Sequence, residues 1–83
     1  MNIKILGPGC ARCDALEKVA KEVASELGID YNLEHVRDMK KIMEYPILHT
    51  PGLVLNEELV CSGRVPTKAE VTTFVTTALA KEE

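Results

Sequence analysis

The sequence predicts an α/β domain: a four-stranded mixed sheet with helices on both faces, in the order βαβαββα. Three observations carry this. A short apolar run, Ile3 to Leu6, meets a Gly7-Pro8-Gly9 break and then a stretch with helical periodicity. A second strand-like segment follows that stretch, and a strand–helix–strand unit of these lengths is parallel and right-handed in nearly all cases. The second half changes pattern: two short apolar runs lie close together, as in an antiparallel hairpin, and a final helix-period segment follows.

Each element has its own signal. Ile3, Ile5 and Leu6 around Lys4 form the first strand. Leu16, Val19, Ala20, Val23 and Leu27 then recur at i, i+3, i+4, i+7 and i+11, the apolar face of a helix about four turns long. Glu17, Lys18, Lys21, Glu22 and Glu26 occupy its solvent side, and Gly28 stands where a C-terminal cap belongs. Ile29 to Val36 alternates loosely and reads as the second strand. Asp38 can cap a short helix with Met39, Ile42 and Met43 facing inward, ended by Pro46. Leu53-Val54-Leu55 and Leu59-Val60-Cys61 flank Asn56-Glu57-Glu58 as a hairpin, with Cys61 on the edge strand. Thr67-Lys68-Ala69-Glu70 is a capping box after Pro66. It opens a helix with Val71, Phe74, Val75, Ala78 and Leu79 on one face. The four threonines of that helix lower its propensity, so packing must hold it. The tail Lys81-Glu82-Glu83 is expected to fray.

Eighty-three residues suit one small domain, 1–83, and are too few for two. A chain of this size hides roughly 60–65% of its unfolded surface, which leaves a thin stability margin. The net charge of −3 comes without a basic block, which argues against nucleic acid as a partner. No apolar stretch approaches the ~20 residues of a membrane span, and the N-terminus lacks signal-peptide architecture. A cytoplasmic location and no membrane partner are therefore expected. Three cysteines are an odd number, unlike the even, dense set of a secreted disulfide scaffold.

The chemistry sits at Cys10-Ala11-Arg12-Cys13, at the junction of the first strand and the first helix. A helix N-terminus carries partial positive charge and unpaired N–H groups, which stabilise a thiolate. The thiolate is the form that attacks disulfides. The same spacing also serves zinc and copper sites, so the motif alone leaves both chemistries open.

The order βαβαββα with this motif after the first strand resembles the thioredoxin fold at its minimal, glutaredoxin-like size. Ile3–Leu6, Gly9-Cys10-Ala11-Arg12-Cys13, Thr50-Pro51-Gly52-Leu53 and Ser62-Gly63-Arg64 together look like the small archaeal and bacterial redox-active disulfide proteins. The resemblance implies a thiol–disulfide oxidoreductase that reduces or exchanges protein disulfides without a metal or prosthetic group. It implies that Cys10 is the nucleophile and Cys13 the buried resolving thiol of a redox-active disulfide. It implies that Pro51 is cis and lies against the dithiol, and that the Thr50 backbone pairs with substrate as an added strand. Arg12 is expected to tune Cys10 and touch partners, while Asp14 opposes that tuning in part. A flavin-dependent thioredoxin reductase is the implied electron donor, and the protein is expected to be a monomer. Ala11-Arg12 matches neither the Gly-Pro pair of thioredoxin nor the usual Pro-Tyr pair of glutaredoxin. No tryptophan precedes the motif, and no charged set for holding glutathione stands out.

Three other readings use the same residues. A soft-metal carrier would hold copper or zinc on Cys10 and Cys13. Copper-chaperone domains, however, run βαββαβ and end in a strand. The other two are a redox adaptor without turnover and a module feeding electrons to one dedicated enzyme. His35 and His49 show no ligand spacing, and His49 reads as a solvated loop residue. Gly7-Pro8-Gly9 lacks the ending of a phosphate loop and reads as a turn. Cys61 reads as a small apolar packing residue. The Met39 and Met43 pair reads as core.

Overall fold

The computed structural model describes residues 1–7, 9, 11–47 and 49–81. The elements are β1 (Asn2–Leu6), α1 (Ala11–Glu26), β2 (Asn32–Val36), α2 (Met39–Ile42), β3 (Gly52–Leu55), β4 (Glu58–Ser62) and α3 (Lys68–Lys81). The sheet order is β2-β1-β3-β4. β1 pairs parallel with β2 and antiparallel with β3, and β3 pairs antiparallel with β4. This is the expected mixed four-stranded sheet, in the expected element order.

Helices cover both faces. Ile3, Ile5, Leu53 and Leu55 point to one side, where they pack with Cys13, Leu16, Ala20, Val23 and Ala24 of α1 and Val71, Val75 and Ala78 of α3. Leu6, Val36 and Val54 point to the other and meet Ile42 of α2. The period-2 alternation of the strands sorts these two sets.

Local chemistry explains the boundaries. Gly28, at φ 66°, ends α1 in a Schellman turn: its N–H donates to Ser25 O (3.1 Å) and the Ile29 N–H to Ala24 O (3.2 Å). That bond commits the Ile29 amide to the helix end. β2 therefore starts at Asn32 rather than Ile29, where the Asn32 N–H donates to Met1 O at 2.8 Å. Leu27 lies beyond the helix end and is 38% exposed, so it does not extend the buried stripe of α1; Cys13 and Ala24 belong to that stripe instead.

At α3 the capping box forms in both directions. The Glu70 N–H donates to Thr67 Oγ1 and the Thr67 N–H to Glu70 Oε1, each at 3.2 Å. Three of the four threonines turn their hydroxyls back onto helix carbonyls: Thr72 to Lys68 O, Thr73 to Ala69 O and Thr76 to Thr73 O.

The hairpin turn is tighter than the sequence suggests. Only Asn56 and Glu57 lie between the strands, at φ 50° and 70°, the signature of a type I′ turn. Asparagine suits that conformation; glutamate does not. The Glu57 carboxylate is anchored by Lys4 Nζ at 2.7 Å and by the Tyr45 hydroxyl, which donates to it at 2.8 Å. Those bonds hold the Glu57 carboxyl below its usual range and push the Lys4 ammonium up.

The short helix differs most from expectation. Asp38 does cap it, accepting from the Lys40 N–H at 2.9 Å. It ends at Ile42, with Met43 as its C-cap, ahead of Pro46. Met39 and Met43 are 56% and 74% exposed, so they are surface residues and not core. A four-residue helix turns one side inward, and Ile42 alone fills it; Tyr45 and Ile47 cover the rest of that patch.

Candidate functional site

Three chain segments meet at the C-terminal ends of β1 and β2, where open α/β sheets place their sites. The first is the β1–α1 junction. The Gly7 N–H donates to Val36 O at 3.0 Å, continuing the parallel ladder one residue past β1. Gly9 takes φ 95°, a conformation open to glycine, and α1 begins at Ala11. Cys10 and Pro8 lie outside the described residues, as do Glu82 and Glu83 of the tail.

Cys13 sits in the first turn of α1 and is fully buried. Its sulfur occupies the space that a side chain at Gly7 would need. The missing Cβ of Gly7 is thus a requirement of close packing and not of backbone angle. The same vacant position is 3.8 Å from Cβ of Thr50, so Gly7, Cys13 and Thr50 converge.

The third segment is the loop before β3. The Thr50–Pro51 peptide bond is cis, Pro51 is buried and Thr50 half-buried. The loop is braced from behind by the chain leaving β4: the Gly63 N–H donates to Pro51 O at 2.9 Å. Gly63 has φ 78°, and a Cβ there would lie 3.3 Å from His49 Cβ. The Ser62-Gly63-Arg64 turn therefore supports the Thr50-Pro51 loop. Arg64 is tied away from it by Glu70, accepting at 3.0 Å from Nη1.

Of the residues singled out by sequence, Cys13, Thr50 and Pro51 come together. Arg12 is exposed on α1 and makes no ion pair among the described residues. His49 is exposed beside the loop, as expected of a solvated residue. Cys61 lies on the edge strand β4, half-buried against the α1/α3 core, which suits a small packing residue.

The structure adds residues the sequence did not point to. Arg37, just after β2, lays its guanidinium over Gly9: a Cβ there would be 2.6 Å from Nη1. It thus places a cation beside the residue that precedes Cys10. Only the parallel β1·β2 register, with Leu6 opposite Val36, brings it there. Met39 and Met43 join Ile42, Ile47, His49 and Thr50 around a groove that is mostly apolar and runs up to the Thr50-Pro51 loop.

This fold and this junction define a class, the small thiol–disulfide oxidoreductases built on a βαβαββα sheet. The family model for the thioredoxin domain matches residues 1–76, and the chain belongs to that family. It is 45% identical over 71 residues to a thioredoxin of Methanothermobacter thermautotrophicus, covering 86% of this chain and 92% of that one. It is 33% identical over 69 residues to a thioredoxin of Methanocaldococcus jannaschii, covering 83% of this chain and 79% of the other. A second thioredoxin of that organism is 36% identical over 64 residues, 74% of each chain. No helix among the described residues is long and apolar enough to cross a membrane.

Proposed function

We propose that this chain is a protein-disulfide reductase working through a Cys10/Cys13 dithiol. The observation that carries the proposal is the complete burial of Cys13 against Gly7, beside Thr50, in the first turn of α1. A sulfur so enclosed cannot meet a bulky disulfide, but it can meet one brought to the preceding turn. That supports a division of labour in which Cys10 attacks and Cys13 resolves.

The electron balance is as follows. The Cys10 thiolate attacks one sulfur of a substrate disulfide, forming a mixed disulfide and releasing the other substrate sulfur as a thiolate that takes up a proton. Cys13, losing its proton, attacks the Cys10 sulfur. The second substrate thiolate leaves and is protonated. Two electrons have passed to the substrate, and a Cys10–Cys13 disulfide remains. The N-terminus of α1, with Arg12 and the Arg37 guanidinium over Gly9, favours the attacking thiolate. The Thr50 backbone before Pro51 is the part of the loop that would pair with substrate as an added strand. The exposed Met39 and Met43 offer adaptable apolar contact beside that edge.

On this reading the protein is a one-domain, monomeric, cytoplasmic electron carrier that needs no metal or prosthetic group for the exchange. A flavin-dependent thioredoxin reductase returns its electrons, and its substrates are disulfide-containing proteins. Turbidity of insulin reduced in the presence of dithiothreitol tests it. The wild-type protein accelerates the precipitation, and Cys10→Ser abolishes the acceleration. Turnover that survives in Cys10→Ser overturns the mechanism.

A further inference from the structure

A second group of chemically active side chains lies at the β2 edge of the sheet. Asp14 and Glu17 stand three residues apart on α1 and so share one face of the helix. His35 comes from β2. Leu33 of that strand packs into the α1/α3 core and Val36 into the α2 side, so the alternation of the strand turns His35 toward α1. One ligand-type atom from each of Asp14, Glu17 and His35 lies within 4.8 Å of the other two. Donors at about 2.0–2.2 Å from one ion lie at most about 4.4 Å apart, so small side-chain rotations close this set around an ion.

Two further observations show that the group is unbalanced as it stands. Glu26, Glu57, Glu58 and Glu70 each pair with a lysine or arginine, whereas neither Asp14 nor Glu17 has a cation within 4 Å among the described residues. Two neighbouring carboxylates with no cation in contact favour a bound cation. His35 Nε2 is buried without a hydrogen-bond partner, alone in this among the side-chain nitrogens and oxygens of the described residues. Buried polar atoms in native structures are nearly always satisfied, so an orphaned imidazole nitrogen needs a reason. A metal ion satisfies the imidazole and both carboxylates together.

We propose that Asp14, Glu17 and His35 form a site for a divalent transition-metal ion of the zinc class. An imidazole with two carboxylates suits zinc better than magnesium or calcium, which favour all-oxygen sets, and better than copper(I), which favours sulfur. Three protein ligands leave the remaining coordination to water, so the ion exchanges. The site uses no cysteine, so it does not rest on the disulfide chemistry proposed above.

Zinc chloride titrated into the wild-type chain and into a Cys10→Ala/Cys13→Ala/Cys61→Ala chain tests this by calorimetry, since the second protein has no thiol to bind the ion. One zinc per chain is expected in the thiol-free protein, and at least one in the wild type. Affinity should fall by more than about tenfold in His35→Gln and in Glu17→Gln made in the thiol-free background. Glu17 is half-buried and its amide is isosteric, so its variant keeps the test open if His35→Gln folds poorly. Cobalt(II) gives a readout that needs no variant: the His35 ring protons should shift and those of His49 should not. Zinc binding confined to the thiol-containing protein, affinity unchanged in both variants, or unshifted His35 signals would each overturn the site.

Discussion

The two faces of the sheet are built on different scales. On one, α1 and α3 close over a core whose members are nearly all fully buried, from Ile3 and Ile5 through Leu16 and Val23 to Val71 and Val75. On the other, a four-residue helix contributes one buried side chain, Ile42, over Leu6, Val36 and Val54, and leaves two methionines in solvent. The thick face anchors Cys13. The thin face borders the Thr50-Pro51 loop. Stability is thus concentrated on the side that must hold a buried sulfur still. The lightly covered side keeps an apolar surface free for contact.

The largest expected effect tests this difference directly. Leu16→Ala should cost about 3–4 kcal/mol, because its neighbours on α1, β1 and β3 cannot collapse into the gap. Ile42→Ala should cost nearer ~2 kcal/mol, since a short helix relaxes more easily over the space. Urea denaturation of both variants measures the two values. Equal costs would mean that the α2 face is as firmly packed as the other.

A smaller effect on stability, with a larger one on activity, is expected at Met43. At 74% exposure its replacement by serine should change stability by less than about 0.5 kcal/mol. If the groove beside Thr50 receives substrate, KM for a protein disulfide should rise while turnover of a small disulfide such as dithiobis(nitrobenzoate) stays the same. A variant that slows both equally would place the fault in the dithiol and not in docking.

The same contrast decides what could be read from the chain before its structure. The thick face was legible because its helices are long enough to show a repeat, and because Gly28 and the Thr67–Glu70 box mark their ends with specific hydrogen bonds. Leu27 fits the repeat of α1 by position, but the Schellman turn ends the helix first. The thin face misled. Met39, Ile42 and Met43 have the spacing of an inward stripe, yet in a single helical turn that spacing cannot say how much sheet is there to be covered. The fold followed from local motifs, and the approach of the Thr50-Pro51 loop to the first turn of α1 was implied by the family resemblance. Arg37 over Gly9, and His35 opposite Asp14 and Glu17, followed from neither. Both depend on the register of β1 against β2, which sets Ile5 opposite His35 and Leu6 opposite Val36, and no spacing along the chain encodes it.

Acid probes the thick face at its margin and gives the smallest of these effects. Glu70 accepts from the Arg64 guanidinium and, at the start of α3, from the Thr67 N–H, and these contacts hold its carboxyl down to about 2, from 4.5 in an unstructured chain. A folded-state pKa below the unfolded one means that the unfolded chain takes up the proton first. The contribution of Glu70 is therefore fully present above pH 4.5 and is lost as pH falls from there toward about 2. Because the group is at the surface, the change should be modest. Amide exchange followed over that window should show protection of Val71 and Phe74 in α3 declining in the wild type. Glu70→Gln should begin with weaker protection and change less with pH. The middle of α3, Val71 to Thr77, is β-branched or aromatic throughout and turns three hydroxyls onto helix carbonyls, so its cap and its packing share the task of holding it. If protection of α3 is as pH-dependent in Glu70→Gln as in the wild type, packing alone fixes the helix, and the thick face needs no electrostatic support at its edge.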